Sequence, residues 1–237
     1  VFDGGFAQIG WRLLDDGIAP PARTDHAMSS EGFEGTRLIM FGGRWMNKVL
    51  GDTWVFSGDA GWIELNFTST NINLTVLSSP AARHSHAMAP LGDDAIVLFG
   101  GVTNGDLGPK DIVTLEDTWV LKSDYDHGDA VWTELQLIGG LHPEARFGHA
   151  MGSLGGLLVL LFGGEDRSGE LMPETWTFST VKGWDNITAD TIDNKNYNAT
   201  DPPSRQGHAM ASLTSSEGYV SEHSTFEREG TPCHHFR

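Results

Sequence analysis

Residues 83–101 read RHSHAMAPLGDDAIVLFGG. Within this stretch Ala95–Phe99 is an unbroken apolar run bounded by turn residues, the pattern of a strand buried on both faces. Gly100 and Gly101 end it. A paired glycine at a strand exit answers a positive φ, or a backbone approach too close for a Cβ. Downstream, Asp117-Thr118-Trp119-Val120-Leu121 and Trp132-Thr133-Glu134-Leu135 alternate in polarity. Such strands bury one face fully. With His86-Ala87-Met88 in front, the unit holds four short β-type runs punctuated by Gly, Pro and Asp. No segment sustains a 3.6-residue period, so the reading is all-β.

The same order of signals recurs on both sides. Upstream stand Arg23-Thr-Asp-His26, an apolar run ending at Gly42 and Gly43, Asp52-Thr-Trp54, and Trp62-Ile-Glu-Leu65. Downstream stand Arg146-Phe-Gly-His149, a run ending at Gly163 and Gly164, Glu174-Thr-Trp176, and Trp184. A fourth copy opens at Arg205-Gln-Gly-His208. The four histidines (26, 86, 149, 208) are spaced 60, 63 and 59 residues apart. A period of this size marks a repeat architecture and organises the whole chain.

Composition narrows the function classes. In 237 residues, 15 Lys and Arg face 32 Asp and Glu, for a formal net charge of -17. Phosphate recognition needs a basic footprint, so a nucleic-acid partner is not expected. No apolar run approaches the length of a membrane span, so direct membrane insertion is not expected either. The chain holds 30 Gly, 8 Trp and a single Cys, so the fold is turn-rich and Trp-rich and has no internal disulfide.

The grammar of Arg-x-x-His, Phe-Gly-Gly, Asp-Thr-Trp and Trp resembles the kelch repeat. The resemblance covers roughly residues 1–220 and implies four-stranded blades of a β-propeller. The repeat scaffold is then Arg23, His26, Gly42, Gly43 and Trp54; Arg83, His86, Gly100, Gly101 and Trp119; Arg146, His149, Gly163, Gly164 and Trp176; and Arg205 with His208. The expected organisation is the last strands of a preceding blade in 1–14, blades in 15–65, 66–138 and 139–187, and the start of a further blade in 188–220. Residues 221–237 form a non-repeat tail. That is about 3.5 blades of a ring that normally closes with about four to eight. Three accounts are open: a piece of a longer protein, an aberrant terminus, or completion by another chain.

No catalytic residue and no metal site is expected. Repeat-related histidines sit on different blades and cannot converge on one ion. The run Asp124-Tyr-Asp126-His-Gly128-Asp129 partly matches an acidic calcium loop, but lacks the third alternating acid and the terminal Glu. A copper-radical site of the galactose-oxidase kind would need a Tyr linked to Cys, and the sole Cys, Cys233, lies in the tail beside His234 and His235. The iron triplet of specifier proteins, Glu-x-x-x-Asp-x-x-x-His, does not occur.

Two features point to function. Asn66, Asn73, Asn186 and Asn198 each open an Asn-x-Thr sequon, and all are expected in two equivalent connectors between blades. They imply N-linked glycans, no other cofactor, and an extracellular or cell-surface location, with a cytoplasmic location as the alternative. The loops joining second and third strands should share a face with those connectors. On them Trp45 breaks the repeat register, and Leu107, Ile112, Val113 and Leu115 interrupt an acidic loop. These five residues are the expected partner face. The function expected is a non-enzymatic module for protein–protein interaction or extracellular assembly, binding protein partners, neighbouring subunits among them. A cytosolic kelch adaptor is one alternative. A propeller enzyme with its site in other blades is another.

Overall fold

A computed structural model describes residues 18–31, 37–65, 79–105, 108–124, 129–136, 140–188 and 202–213. The partial opening blade and the tail expected from the sequence lie outside the described residues. Among the described residues every regular element is a strand.

The first sheet comprises β1 (Ala27–Glu31), β2 (Arg37–Phe41), β5 (Thr53–Ser57) and β6 (Gly61–Leu65), in spatial order β1-β2-β5-β6. Between its second and third strands rises a ribbon of β3 (Arg44–Trp45) and β4 (Lys48–Val49). The second sheet repeats the plan with β7 (Ala87–Leu91), β8 (Ala95–Phe99), β11 (Thr118–Asp124) and β12 (Asp129–Glu134). Its ribbon is longer, β9 (Val102–Gly105) against β10 (Gly108–Thr114). The third sheet holds β13 (Ala150–Gly155), β14 (Leu158–Phe162), β15 (Thr175–Ser179) and β16 (Gly183–Asn186). There the ribbon reduces to one bridge, Glu165 to Leu171. All pairing within the sheets is antiparallel. The first strands of successive sheets, β1, β7 and β13, lie side by side and so trace the inner arc.

The core lies between the sheets. Ile39 and Phe41 of the first sheet pack against Ile96, Leu98, Trp119 and Trp132 of the second. Val97, Phe99 and Val120 of the second pack against Leu161, Trp176 and Trp184 of the third. The continuous apolar run of each second strand thus serves two interfaces, one per face. Fully burying one such side chain is worth about 1.5–3 kcal/mol.

At the Phe-Gly-Gly exits the backbones themselves touch. Gly42 and Gly43 have φ +62° and +97°, and Gly100, Gly101, Gly163 and Gly164 repeat those values closely. A Cβ on Gly42 would lie 2.5 Å from the carbonyl oxygen of Arg83 in the next blade; on Gly163 it would lie 2.5 Å from that of Arg205. Both reasons for a glycine, positive φ and close approach, therefore act at once. The second glycine then donates across the interface: Gly43 N–H to Arg83 O at 2.8 Å, Gly101 to Arg146 and Gly164 to Arg205 at 2.9 Å each.

Substituting Ala for Gly42 should cost on the order of 3 kcal/mol, because strain and a backbone clash combine. Gly58→Ala, at a position with nothing nearby, should stay within about 0.5 kcal/mol of the parent. Urea unfolding of both variants measures the difference.

Candidate functional site

Each blade is closed by an arginine that the sequence pattern alone leaves without an assigned partner. Arg83, 0% exposed, donates from Nη1 to Asp117 Oδ1 and from Nη2 to Asp117 Oδ2, both at 2.6 Å. It also donates to the carbonyls of Gly100 and Ala81. The second oxygen of Asp117 accepts the Trp119 indole N–H at 2.7 Å. The first blade builds the same lock from Arg23, Asp52 and Trp54. A buried guanidinium must be paired, and a bidentate carboxylate is its best planar partner. These side chains tie strands within a blade, and the backbones of Arg83 and Arg146 span the gap to the blade before.

The threonine of Asp-Thr-Trp has a separate task. Thr53 Oγ1 accepts the indole N–H of Trp132 at 3.2 Å, and Thr118 Oγ1 that of Trp184 at 2.9 Å, each from the following blade. Those two tryptophans also lean on Phe41 and Phe99, with ring centroids 5.4 and 5.0 Å apart. The histidines complete the wedge. His86 sits edge-on to Phe41, His149 to Phe99 and His208 to Phe162. Among the described residues their ring nitrogens have no close hydrogen-bond partner, so these side chains act as aromatic packing.

The third blade departs from the pattern. Glu174 stands where the other blades have Asp, and Arg146 reaches it through one bond of 3.3 Å. The extra methylene displaces the carboxylate, and the buried Trp176 indole N–H has no partner among the described residues.

These surroundings shift titrations in a definite sense. Burial alone would raise the Asp117 pKa, but the bonds and charge of Arg83, with the Trp119 N–H, outweigh it and hold the group below its ordinary value. Burial, then the neighbouring arginine charge, holds His86 well below its usual value and His149 at about 3.

The ribbons form the second functional element. Each is pinched shut at its base by one bond: Leu50 N–H to Gly43 O, Leu115 to Gly101 and Met172 to Gly164. Leu50 and Leu115 then accept from Arg83 and Arg146, the first residues of the next blade. The described ends of the inter-blade connectors, at Arg83 and Arg146, therefore lie beside the bases of the first two ribbons. On the first ribbon Trp45 is 50% exposed and Met46 80%. Val113 is exposed and Ile112 half-buried. Leu115 is half-buried, and its backbone N–H and C=O clamp the base of the second ribbon. Leu107 lies outside the described residues, as does the Tyr125–Gly128 centre of the acidic run.

Between the first ribbon and β9 opens a cleft of about 670 Å³, lined by Trp45, Met46, Lys48, Thr103 and Asn104 among others. Among the described residues no group of three or more His, Cys, Asp or Glu could hold a metal, and no helix is long and apolar enough to cross a membrane.

Of the sequons, Asn66, Asn73 and Asn198 lie outside the described residues. Asn186 does not belong to a connector as expected; it is the last residue of β16, paired opposite Trp176. Its Oδ1 accepts the Thr188 N–H at 3.0 Å, and the Thr188 hydroxyl accepts the Thr175 N–H at 2.8 Å.

Four-stranded antiparallel sheets stacked around inner strands define the class: blades of a β-propeller. The description of the KLHDC2/KLHL20/DRC7 kelch-repeats domain matches residues 10–220, and the chain belongs to the kelch-repeat family. Among its relatives is Adagio protein 3 of Arabidopsis thaliana, 29% identical over 206 residues, covering 85% of this chain and 29% of that protein. An F-box/kelch-repeat protein of the same plant is 27% identical, covering 70% of this chain and 32% of that protein. The solved structure of YjhT aligns at 14% identity with a TM-score of 0.48, over 70% of this chain and 52% of that one. The chain spans about a third or less of the curated relatives it matches first, from 24% to 32% of their length.

Two outcomes follow from the locks and wedges. Glu174→Asp should restore the bidentate pair and the tryptophan bond, raising stability by about 1 kcal/mol; Asp117→Ala should lower it by about 3 kcal/mol, by stranding a buried cation. Thermal melts of the two variants should move in opposite directions. His149 has a folded pKa near 3 against 6.5 unfolded, so its protonation favours the unfolded chain. Its contribution is present above pH 6.5 and is lost as pH falls toward 3, at up to about 1.4 kcal/mol per pH unit. Urea midpoints across that range should fall more gently in His149→Gln than in the parent.

Proposed function

We propose that this chain is a non-enzymatic protein-docking unit of a kelch propeller, working through the face that carries its ribbons and connectors. The observation that carries this reading is the spending of large apolar side chains, Trp45 and Met46, on a solvent-exposed ribbon whose base is already clamped. A contiguous exposed apolar patch marks an interaction site. A propeller is a platform that hosts unrelated activities, so the argument rests on this face and not on the fold.

The compartment has two readings, each with its own support. Four sequons favour a secreted or cell-surface glycoprotein. The relative that joins kelch repeats to an F-box favours an intracellular adaptor, in which this unit is one part of a longer chain. The bonds of Asn186 and Thr188 to β15 and to each other give that sequon a structural reason of its own, which weakens the first reading.

Affinity capture followed by mass spectrometry tests the docking face. Partners held by the parent chain should be lost from Trp45→Ala and retained by Val181→Ser, at an exposed turn of the third blade. Equal retention by both variants would overturn the reading. Intact mass before and after glycosidase treatment decides the compartment: a mass drop favours secretion, and unmodified sequons favour the adaptor.

A further inference from the structure

This inference rests on the docking reading and narrows it to one cleft and one partner chemistry. Trp45 and Lys48 pair across β3 and β4, leaving Met46 and Asn47 as the turn between them. Met46 has φ +52°, a conformation that glycine adopts freely and that costs another residue of order 1 kcal/mol or more. The same side chain is the most exposed large hydrophobic group among the described residues. The turn therefore carries two costs that a glycine would remove together. Strain of this kind persists where the displaced side chain has work to do.

The cleft beneath that turn has an unusual charge for this molecule. The chain carries -17 overall, yet among the described residues no Asp or Glu lines the cleft, and Lys48 does. The Lys48 ammonium makes no ion pair or hydrogen bond among the described residues. The neighbouring Arg44 is tied to Asp25 at 2.7 Å. Thr103 and Asn104 of β9 supply polar groups on the opposite wall.

We propose that the cleft takes an acidic, apolar segment of a partner protein. A large aliphatic or aromatic side chain of that segment seats against Trp45 and Met46, and an adjacent Asp or Glu meets Lys48. Thr103 and Asn104 bond its backbone. At a distance the overall negative charge disfavours such a segment. That field is screened over about 8 Å at physiological salt, so the unpaired cation at contact decides the sign. A basic segment would find no acid among the described residues of the cleft and would face Lys48.

A phage-displayed library of random linear peptides, panned on the full chain at physiological ionic strength, tests this. The expected binders place Asp or Glu beside Leu, Ile, Met, Phe or Trp. Synthetic versions should lose roughly tenfold in affinity on Lys48→Glu, and again on Met46→Gly. Exchanging the peptide acid for Lys should restore binding to Lys48→Glu. Met46→Gly should melt at or above the parent temperature, which separates lost contact from lost fold. Binders that are basic, or that ignore both substitutions, overturn the cleft and leave the docking reading standing. A library without any binder also overturns the cleft, and the Trp45→Ala capture then judges the docking face separately.

Discussion

The fold depends on backbone contact between neighbouring blades at the Phe-Gly-Gly exits. A carbonyl of the next blade occupies the space where a Cβ would stand, 2.5 Å from its ideal position at Gly42. The following amide then donates to that same carbonyl. Everything else is arranged around the approach. Phe41 can meet both His86 and Trp132 only because the chains come this close. Apolar burial between sheets supplies most of the free energy, and the glycines set the distance at which it is collected.

The arginine locks act at right angles to this contact. Each holds the start of a blade to its second and third strands, while at Arg83 and Arg146 the same residue's backbone reaches the blade before. One residue thus couples closure within a blade to spacing between blades. The third blade shows what the coupling tolerates. With Glu174 the guanidinium keeps one carboxylate bond and the tryptophan has no partner among the described residues, yet the sheet retains its register. The locks refine a geometry that packing already fixes.

Much of this was legible because the repeat states it three times. The apolar second strands, the glycine pairs and the recurring tryptophans each follow from a local rule that a single sequence displays. Trp45 also stood out, since it has no counterpart in the other copies. What escaped was of two kinds. Leu115 was read for its side chain, and its backbone role as a clamp was missed, although Leu50 and Met172 also precede the lock carboxylate by two residues; the shared spacing was the signal. Asn186 likewise falls two residues after its tryptophan, as Glu64 and Glu134 do, and so belongs to a strand. Met46 is different. Backbone strain arises from how a turn is closed, and a Met-Asn pair read alone carries no trace of a positive φ.

The clamp at the base of each ribbon makes its length nearly irrelevant to the blade. The same bond closes the span from Gly43 to Leu50, from Gly101 to Leu115 and from Gly164 to Met172. Doubling such a span costs only about 0.6 kcal/mol of closure entropy. The molecule therefore keeps two independent scripts in one chain. One specifies the scaffold and repeats almost verbatim; the other fills the space between clamps and can be rewritten one blade at a time.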